Sequence, residues 1–197
     1  HVGIPSSRHS SQLMPSAMTR DDYDAHLGYH PSVIPLDIRL GLTSSPGEEA
    51  VLRWGIIATG KVAHDFTQVL KFLRLSAGRH AVVAVGSRTK SRAEEFAVLH
   101  GIPAAYGSYE ELCADPNVDI VYVASLHPDH RAHAEMALLQ GKHVLVEKPI
   151  CMKADDAQFL YDLGREKELF VGEGMWTRFF PAVEWTRMRL GDKGIGR

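Results

Sequence analysis

VLRWGIIATGKV, residues 51–62, is a short apolar run that passes through a glycine-bearing loop into a helix. Such a corner turns backbone N–H groups toward a phosphate. A second apolar run, VLVEKP at 144–149, ends on Glu147, Lys148 and a proline. A phosphate loop followed by a lysine at a later strand end points to redox chemistry on a dinucleotide.

The dinucleotide fingerprint is G-x-G-x-x-G/A after a strand. Its positions here are Ala58, Gly60 and Ala63, with Thr59, Lys61 and Val62 between them. Alanine fits the first position only where φ stays negative. Gly60 lets the backbone approach a pyrophosphate, and Ala63 lets the helix pack closely on its strand. An ordinary strand–turn–helix corner fits this motif equally well.

Working outward, strands and helices alternate. Strands are expected over 52–58, 80–86, 105–107, 118–124, 143–146 and 169–171. Helices are expected over 61–75, 91–100, from Ser108, over 128–140, 155–167 and 179–190, with Pro181 in the first turn of the last. The first helix carries Val62, Phe66, Val69, Leu70 and Leu73; the second carries Ala93, Phe96, Ala97 and Leu99 on one side, with Gly101 as its C-cap. Ser108 and Glu111 have capping-box spacing. Continuous apolar strands between amphipathic helices imply an α/β domain with a doubly wound parallel sheet, a Rossmann fold. Ligands in such sheets bind beyond the carboxyl ends of the strands.

The residues there carry the chemistry. After the second strand come Ser87, Arg88, Thr89, Lys90 and Arg92, where an NAD enzyme places an acid for the ribose 2′-hydroxyl. Cations and hydroxyls suit a 2′-phosphate, so the cofactor expected is NADP. The same residues also fit a solvated basic helix start. Ser125, Leu126, His127 and His130 follow the VYVA strand, where an exposed helix face fits them as well. At Lys148, desolvation lowers a lysine pKa and a neighbouring carboxylate raises it. Such a lysine can hydrogen-bond a substrate hydroxyl or assist proton transfer; a surface ion pair with Glu147 is the plainer reading. Pro149 has the setting of a cis proline. Trp176, Phe179 and Phe180 either wall an apolar or sugar-stacking pocket or form the core of a hinge.

The 197 residues bound the rest. A net charge of −2 gives no reason to expect nucleic acid or an anionic membrane as partner, and no apolar run approaches the roughly 20 residues of a membrane helix. Two cysteines, Cys113 and Cys151, make no disulfide framework and fit a reducing compartment, the cytoplasm. Neither they nor the 11 histidines have metal-ligand spacing, so no metal is expected. Residues 1–50, rich in proline and serine without a sustained apolar period, read as a disordered arm. Deleting residues 1–48 should leave the thermal midpoint within a few degrees; a large drop would mean that the arm packs on the domain.

From about residue 52 onward the chain resembles the Gfo/Idh/MocA oxidoreductases, through LRWGII, AYGSYEEL, DPNVDIVYVAS, HPDH, GKHVLVEKP and MWTRFFPA. It is most similar to the branch of dimeric dihydrodiol dehydrogenases and NADP-dependent D-xylose 1-dehydrogenases. The resemblance implies a dehydrogenase of a sugar or trans-dihydrodiol, homodimeric at full length. It gives Lys148 a catalytic role beside the nicotinamide, with His127 and His130 in the active-site cleft. It gives Arg88 and Arg92 the 2′-phosphate, with Ser87, Ser125, Leu126 and Glu147 among the cofactor contacts. Trp176, Arg178 and Phe179 would line the substrate pocket. Family members continue into a sheet domain that carries the acid–base tyrosine or histidine. The organisation expected is therefore an arm over 1–50, an NADP-binding domain over 51–175 and the start of a truncated C-terminal domain over 176–197, hence a cofactor-binding half.

Overall fold

Six parallel strands run in the order β3-β2-β1-β4-β5-β6. The structure is a computed structural model that describes residues 51–77, 79–180, 182, 183 and 186. β1 (Leu52–Ile57) leads into α1 (Lys61–Ala77), β2 (His80–Gly86) into α2 (Lys90–His100), and β3 (Ala104–Tyr106) into α3 (Tyr109–Ala114). β4 (Ile120–Val123) continues through a 3₁₀ turn, His127–Asp129, into α4 (His130–Leu139). β5 (His143–Glu147), α5 (Ala154–Glu166), β6 (Val171–Gly174) and a 3₁₀ turn at Trp176–Phe179 follow. The order is that of a dinucleotide-binding sheet, and the strand sequence reverses between β1 and β4.

Helices cover both faces. Ala63 and Leu70 of α1 and Ala93, Phe96 and Ala97 of α2 pack with Trp54, Ile56 and Tyr122 on one side. Leu112 and Cys113 of α3, Ala137 and Leu138 of α4 and Leu160 of α5 pack with Ile57, Val121 and Val144 on the other. The continuous apolar strands are thus explained, because both faces of each are dry. Among the described residues no helix is long and apolar enough to cross a membrane.

Several expected faces shift. Val62 and Val69 are exposed, whereas Phe66 and Leu70 face the sheet as expected, joined there by Ala63 and Thr67. On α2 the inner face is Ala93, Phe96, Ala97 and His100, while Leu99 lies outside. The spacing i, i+3, i+4, i+7 puts a histidine at the inner position, and hydropathy alone overlooks it. His100 sits edge-on to the His64 ring with its Nε2 2.9 Å from His64 Nδ1; burial lowers its pKa.

Gly101, the C-cap of α2, has φ 62°, and Gly141, one residue past the Gln140 C-cap of α4, has φ 74°. Ser108 Oγ accepts from Glu111 N–H at 3.2 Å, but the Glu111 carboxylate takes the Gly107 N–H rather than that of Ser108. The last strand is displaced from the expected 169–171 to Val171–Gly174, because Glu168 takes a positive φ of 56° and carries the chain over the end of α5. Of the helix expected over 179–190, Ala182, Val183 and Thr186 are helical and Phe179 belongs to the preceding turn. Phe180 is extended; the remainder, with Pro181, lies outside the described residues, as does the arm over 1–50.

Candidate cofactor site

Where β1 and β4 end side by side, their loops part and leave a cleft of about 400 Å³. Ala58 and Gly60 form one wall. Ala124, Ser125 and Leu126 form the opposite one, and Arg88, Tyr109, Asp129 and His133 close the far end.

The β1 loop corrects the expectation for Ala58. Its φ is +76°, in the left-handed region, and its N–H donates to Gly86 O at 3.0 Å. The glycine geometry of the first fingerprint position is therefore kept with an alanine in it. The left-handed conformation costs an L-residue roughly 1–2 kcal/mol, of which the extra chain entropy of glycine would return about 0.5–1. Ala58→Gly should raise the thermal midpoint by about 2–4 °C, measured by scanning calorimetry. A fall would mean that the packing of the Ala58 methyl on the core outweighs the strain.

A Cβ on Gly60 would meet nothing within 4 Å. The glycine is thus not required by the protein's own packing, and the space it leaves is on the cleft side of the loop. No acidic residue occupies the first turn of α1. A helix N-terminus of this kind attracts an anion, so the loop fits a pyrophosphate. Thr59 is half-buried, and Lys61 and Val62 are exposed at the helix start.

Ser87 is buried at the end of β2, its Oγ 3.5 Å from Thr89 N. The first turn of α2 holds no acid, and its N-cap, Thr89, makes no side-chain cap. Arg88 and Arg92 are exposed, and neither has an ion-pair partner among the described residues. Lys90 instead turns back to Ala105 O. Arg88 lines the cleft; Arg92 lines a neighbouring hollow of about 300 Å³ with Thr59 and Phe96. Two unpaired guanidinium groups on either side of one loop suit a phosphate at its rim.

Lys148 departs from expectation. It is exposed, so burial does not desolvate it, and among the described residues its ammonium has no partner. Glu147 turns away from it: Oε1 accepts from the Tyr122 hydroxyl at 2.6 Å and Oε2 from the Lys148 N–H at 3.1 Å. Burial first, and then Glu147, push the Tyr122 hydroxyl pKa far above its usual range. The Lys148–Pro149 bond is cis. Beyond it, Ile150 N–H donates to Glu173 Oε1 at 3.0 Å. His130 is buried, with Nδ1 2.8 Å from Pro149 O and Nε2 3.0 Å from Ser125 O. Both its ring nitrogens are occupied by backbone carbonyls, so it ties the β4 loop to the β5 loop and does not face a ligand. Tyr122, Glu147, His130 and Glu173 together hold the backbone that presents Lys148.

His127 is exposed at the start of the 3₁₀ turn after β4. Trp176 and Phe179 are 56% and 58% exposed, Arg178 is exposed, and the Trp176 ring stands edge-on to Phe180 at 5.4 Å. These aromatics are not core, and they leave the Lys148 side of the domain open.

Sequence reasoning missed Tyr109, Asp129 and His133. His133 lies three residues after His130 on the same face of α4, and of the two it is His133 that lines the cleft; that spacing was the available signal. Cys113 is buried, its thiol pushed up to about 12 by burial, and Cys151 is free and half-buried.

Comparison with known proteins agrees with this geometry. Residues 52–175 match the model of the oxidoreductase family with an NAD-binding Rossmann fold. The trans-1,2-dihydrobenzene-1,2-diol dehydrogenase of Sus scrofa is 48% identical over 145 residues, 74% of this chain and 43% of that protein. The Homo sapiens enzyme of that name is 47% identical with the same coverage. The chain thus spans less than half the length of these relatives. Among solved structures, a 3-ketoreductase from Actinomadura kijaniata in complex with NADP superposes with a TM-score of 0.67 at 28% identity, covering 75% of this chain and 46% of that one. An NAD binding oxidoreductase from Klebsiella pneumoniae gives 0.66 at 26%, covering 75% and 40%. A Rossmann sheet with a glycine loop facing an open cleft, matched over most of its length, identifies the chain as a member of the Gfo/Idh/MocA oxidoreductase family.

Proposed function

We propose that the chain is the NADP-binding half of a dehydrogenase that moves a hydride between a CH–OH carbon of a sugar or trans-dihydrodiol and the nicotinamide. The observation that carries the cofactor choice is Ser87, Arg88 and Arg92 around the β2 end, with no acid among them and both guanidinium groups unpaired. A carboxylate there would repel a 2′-phosphate; two cations and a hydroxyl hold it. The bound nicotinamide supplies the hydride acceptor or donor. The chain's own residues bind and orient: the Gly60 loop receives the pyrophosphate, and the held turn after β5 presents the Lys148 ammonium to a substrate hydroxyl. The dihydrodiol dehydrogenase relatives support the substrate class, and the NADP-bound ketoreductase supports the cofactor.

A second reading is a non-catalytic NADP-binding module. It is favoured by the open Lys148 side, where no other proton-transfer group among the described residues packs against the ammonium. In either case we place the protein in the cytoplasm, on its two free cysteines, and its full-length relatives in homodimers. Fluorescence titration with NADPH and NADH tests the common core. Tighter binding of NADPH is expected; equal affinities or a preference for NADH would refute the cofactor choice.

A further inference from the structure

Ser125 is gripped twice by α4. His130 Nε2 lies 3.0 Å from its carbonyl oxygen, and His133 Nδ1 lies 2.9 Å from its hydroxyl. The two histidines are one helical turn apart, so a single helix face fixes both the backbone and the side chain of this residue. The His133 ring is half-buried and stands edge-on to Tyr109, with centroids 4.6 Å apart at 72°. Ser125, Tyr109 and His133 all line the cofactor cleft. No other partner for the Ser125 hydroxyl or for His133 Nε2 lies among the described residues.

A serine hydroxyl has one hydrogen to give and two lone pairs. A neutral imidazole carries its proton on one nitrogen only. If Nδ1 is bare, the serine spends its hydrogen on the histidine and shows lone pairs to the cleft. If Nδ1 is protonated, it donates to the serine oxygen, and the serine hydrogen turns outward. The histidine therefore decides which ligand groups Ser125 can hold.

We propose that His133 is a positioning residue of the cofactor cleft: it keeps the Ser125 oxygen facing the ligand as an acceptor and so selects a ligand hydroxyl or amino donor at that point. The inference rests on the dinucleotide reading of the cleft. Such a ligand offers both donors, on its riboses and its adenine, whereas its phosphates can only accept. The acceptor state of Ser125 thus keeps the phosphates to the Gly60 loop and the arginines.

The surroundings favour the neutral ring. Burial lowers the His133 pKa from its usual value, and His130 and Arg88 act in the same direction, against the Asp129 and Glu110 carboxylates. The adjacent Tyr109 hydroxyl is itself raised, chiefly by burial, and stays uncharged. Below the ordinary histidine range the ring takes a proton and donates to the Ser125 oxygen, so one of the two serine lone pairs is used, the serine hydrogen turns toward the cleft, and it competes with the remaining lone pair for the place opposite the ligand's donor group.

Binding of NADP⁺ to the 197-residue chain, measured by calorimetry from about pH 8 to about pH 5, tests this. His133→Asn supplies an amide oxygen in place of Nδ1 and does not titrate. Near neutral pH it should retain more of the wild-type affinity than His133→Leu does. On acidification the wild type should weaken relative to it by about three- to tenfold, the worth of one hydrogen bond. The ratio of the two affinities cancels the titration of the ligand's own phosphate. The sign is diagnostic, because an added positive charge by itself would strengthen the binding of an anionic dinucleotide. His133→Leu and Ser125→Ala should each weaken binding near neutral pH by a similar factor, and the double variant by no more than either. Nitrogen chemical shifts of the ligand-free protein should show Nδ1 of His133 bare and Nε2 protonated. A proton on Nδ1 of the neutral ring, additive losses, or a wild-type profile parallel to that of His133→Asn would overturn the inference while leaving the cofactor reading intact. A wild-type chain that binds no dinucleotide at any pH would overturn that reading and this inference with it.

Discussion

Arg88→Ala should raise the Kd for NADP at least tenfold and cost NAD binding far less. The Arg88 guanidinium is exposed, lines the cleft and has no internal partner. Nothing in the fold depends on it, so its removal should leave stability within about 0.5 kcal/mol. A charge-assisted hydrogen bond to a phosphate is worth about 1.5–3 kcal/mol, and about 1.4 kcal/mol is one decade of affinity. Parallel titrations with NADP and NAD separate a 2′-phosphate contact from a general one. Equal losses for both cofactors would place Arg88 on the adenine or the pyrophosphate instead. No loss for either would remove it from the site. Arg92, on the neighbouring hollow, should behave in the same way with a smaller effect, because it lies outside the cleft itself.

The 197-residue chain should bind NADP and yet oxidise D-xylose or a trans-dihydrodiol no faster than background. Alcohol oxidation needs a group to take the hydroxyl proton as the hydride leaves, in a site closed to water. Lys148 is exposed and has no partner among the described residues, and Met175, Trp176, Phe179 and Phe180, which follow the neighbouring strand end, are exposed. Loss of a positioned acid–base group alone typically costs 10²–10⁴-fold. The same exposed aromatics should make the chain prone to self-association. Turnover and sedimentation should therefore be measured on one preparation. A soluble monomer with turnover of about 1 s⁻¹ or more, in the ordinary enzyme range, would require a base within residues 1–197. His127, the exposed histidine of the turn after β4, would then be the first to replace.

Much of the domain was legible because its signals are local. Apolar runs and capping residues mark β1, β2, β4 and β5 and the helices between them; Gly101, Ser108 and Gly141 act where turn chemistry puts them. The misplaced elements show where local signals stop. The 169–171 stretch is apolar, yet the strand begins at Val171, since the chain must first clear the end of α5. Leu99 is more apolar than His100, yet His100 is inside, because helical phase rather than hydropathy chooses the buried residue. Lys148 follows a buried strand, yet its side chain reaches solvent, because Glu147 is engaged by Tyr122 from the neighbouring strand and does not draw the ammonium inward.

By itself, the sequence determined the fold class, the strand that carries the phosphate loop and the basic character of the β2 end. These follow from period, glycine placement and charge, which are properties of neighbours along the chain. Only the tertiary structure decided that Ala58 takes the left-handed conformation, that His130 faces two carbonyls and no ligand, and that His133 grips Ser125. The first two depend on atoms brought close by the order of strands in the sheet, Gly86 O for Ala58 and Pro149 O for His130, and the third on the β4 turn folding back on the helix it leads into. For Ala58 with Gly86 and His130 with Pro149, no pattern within a dozen residues encodes the meeting, because strand order rather than chain order sets which loops lie side by side.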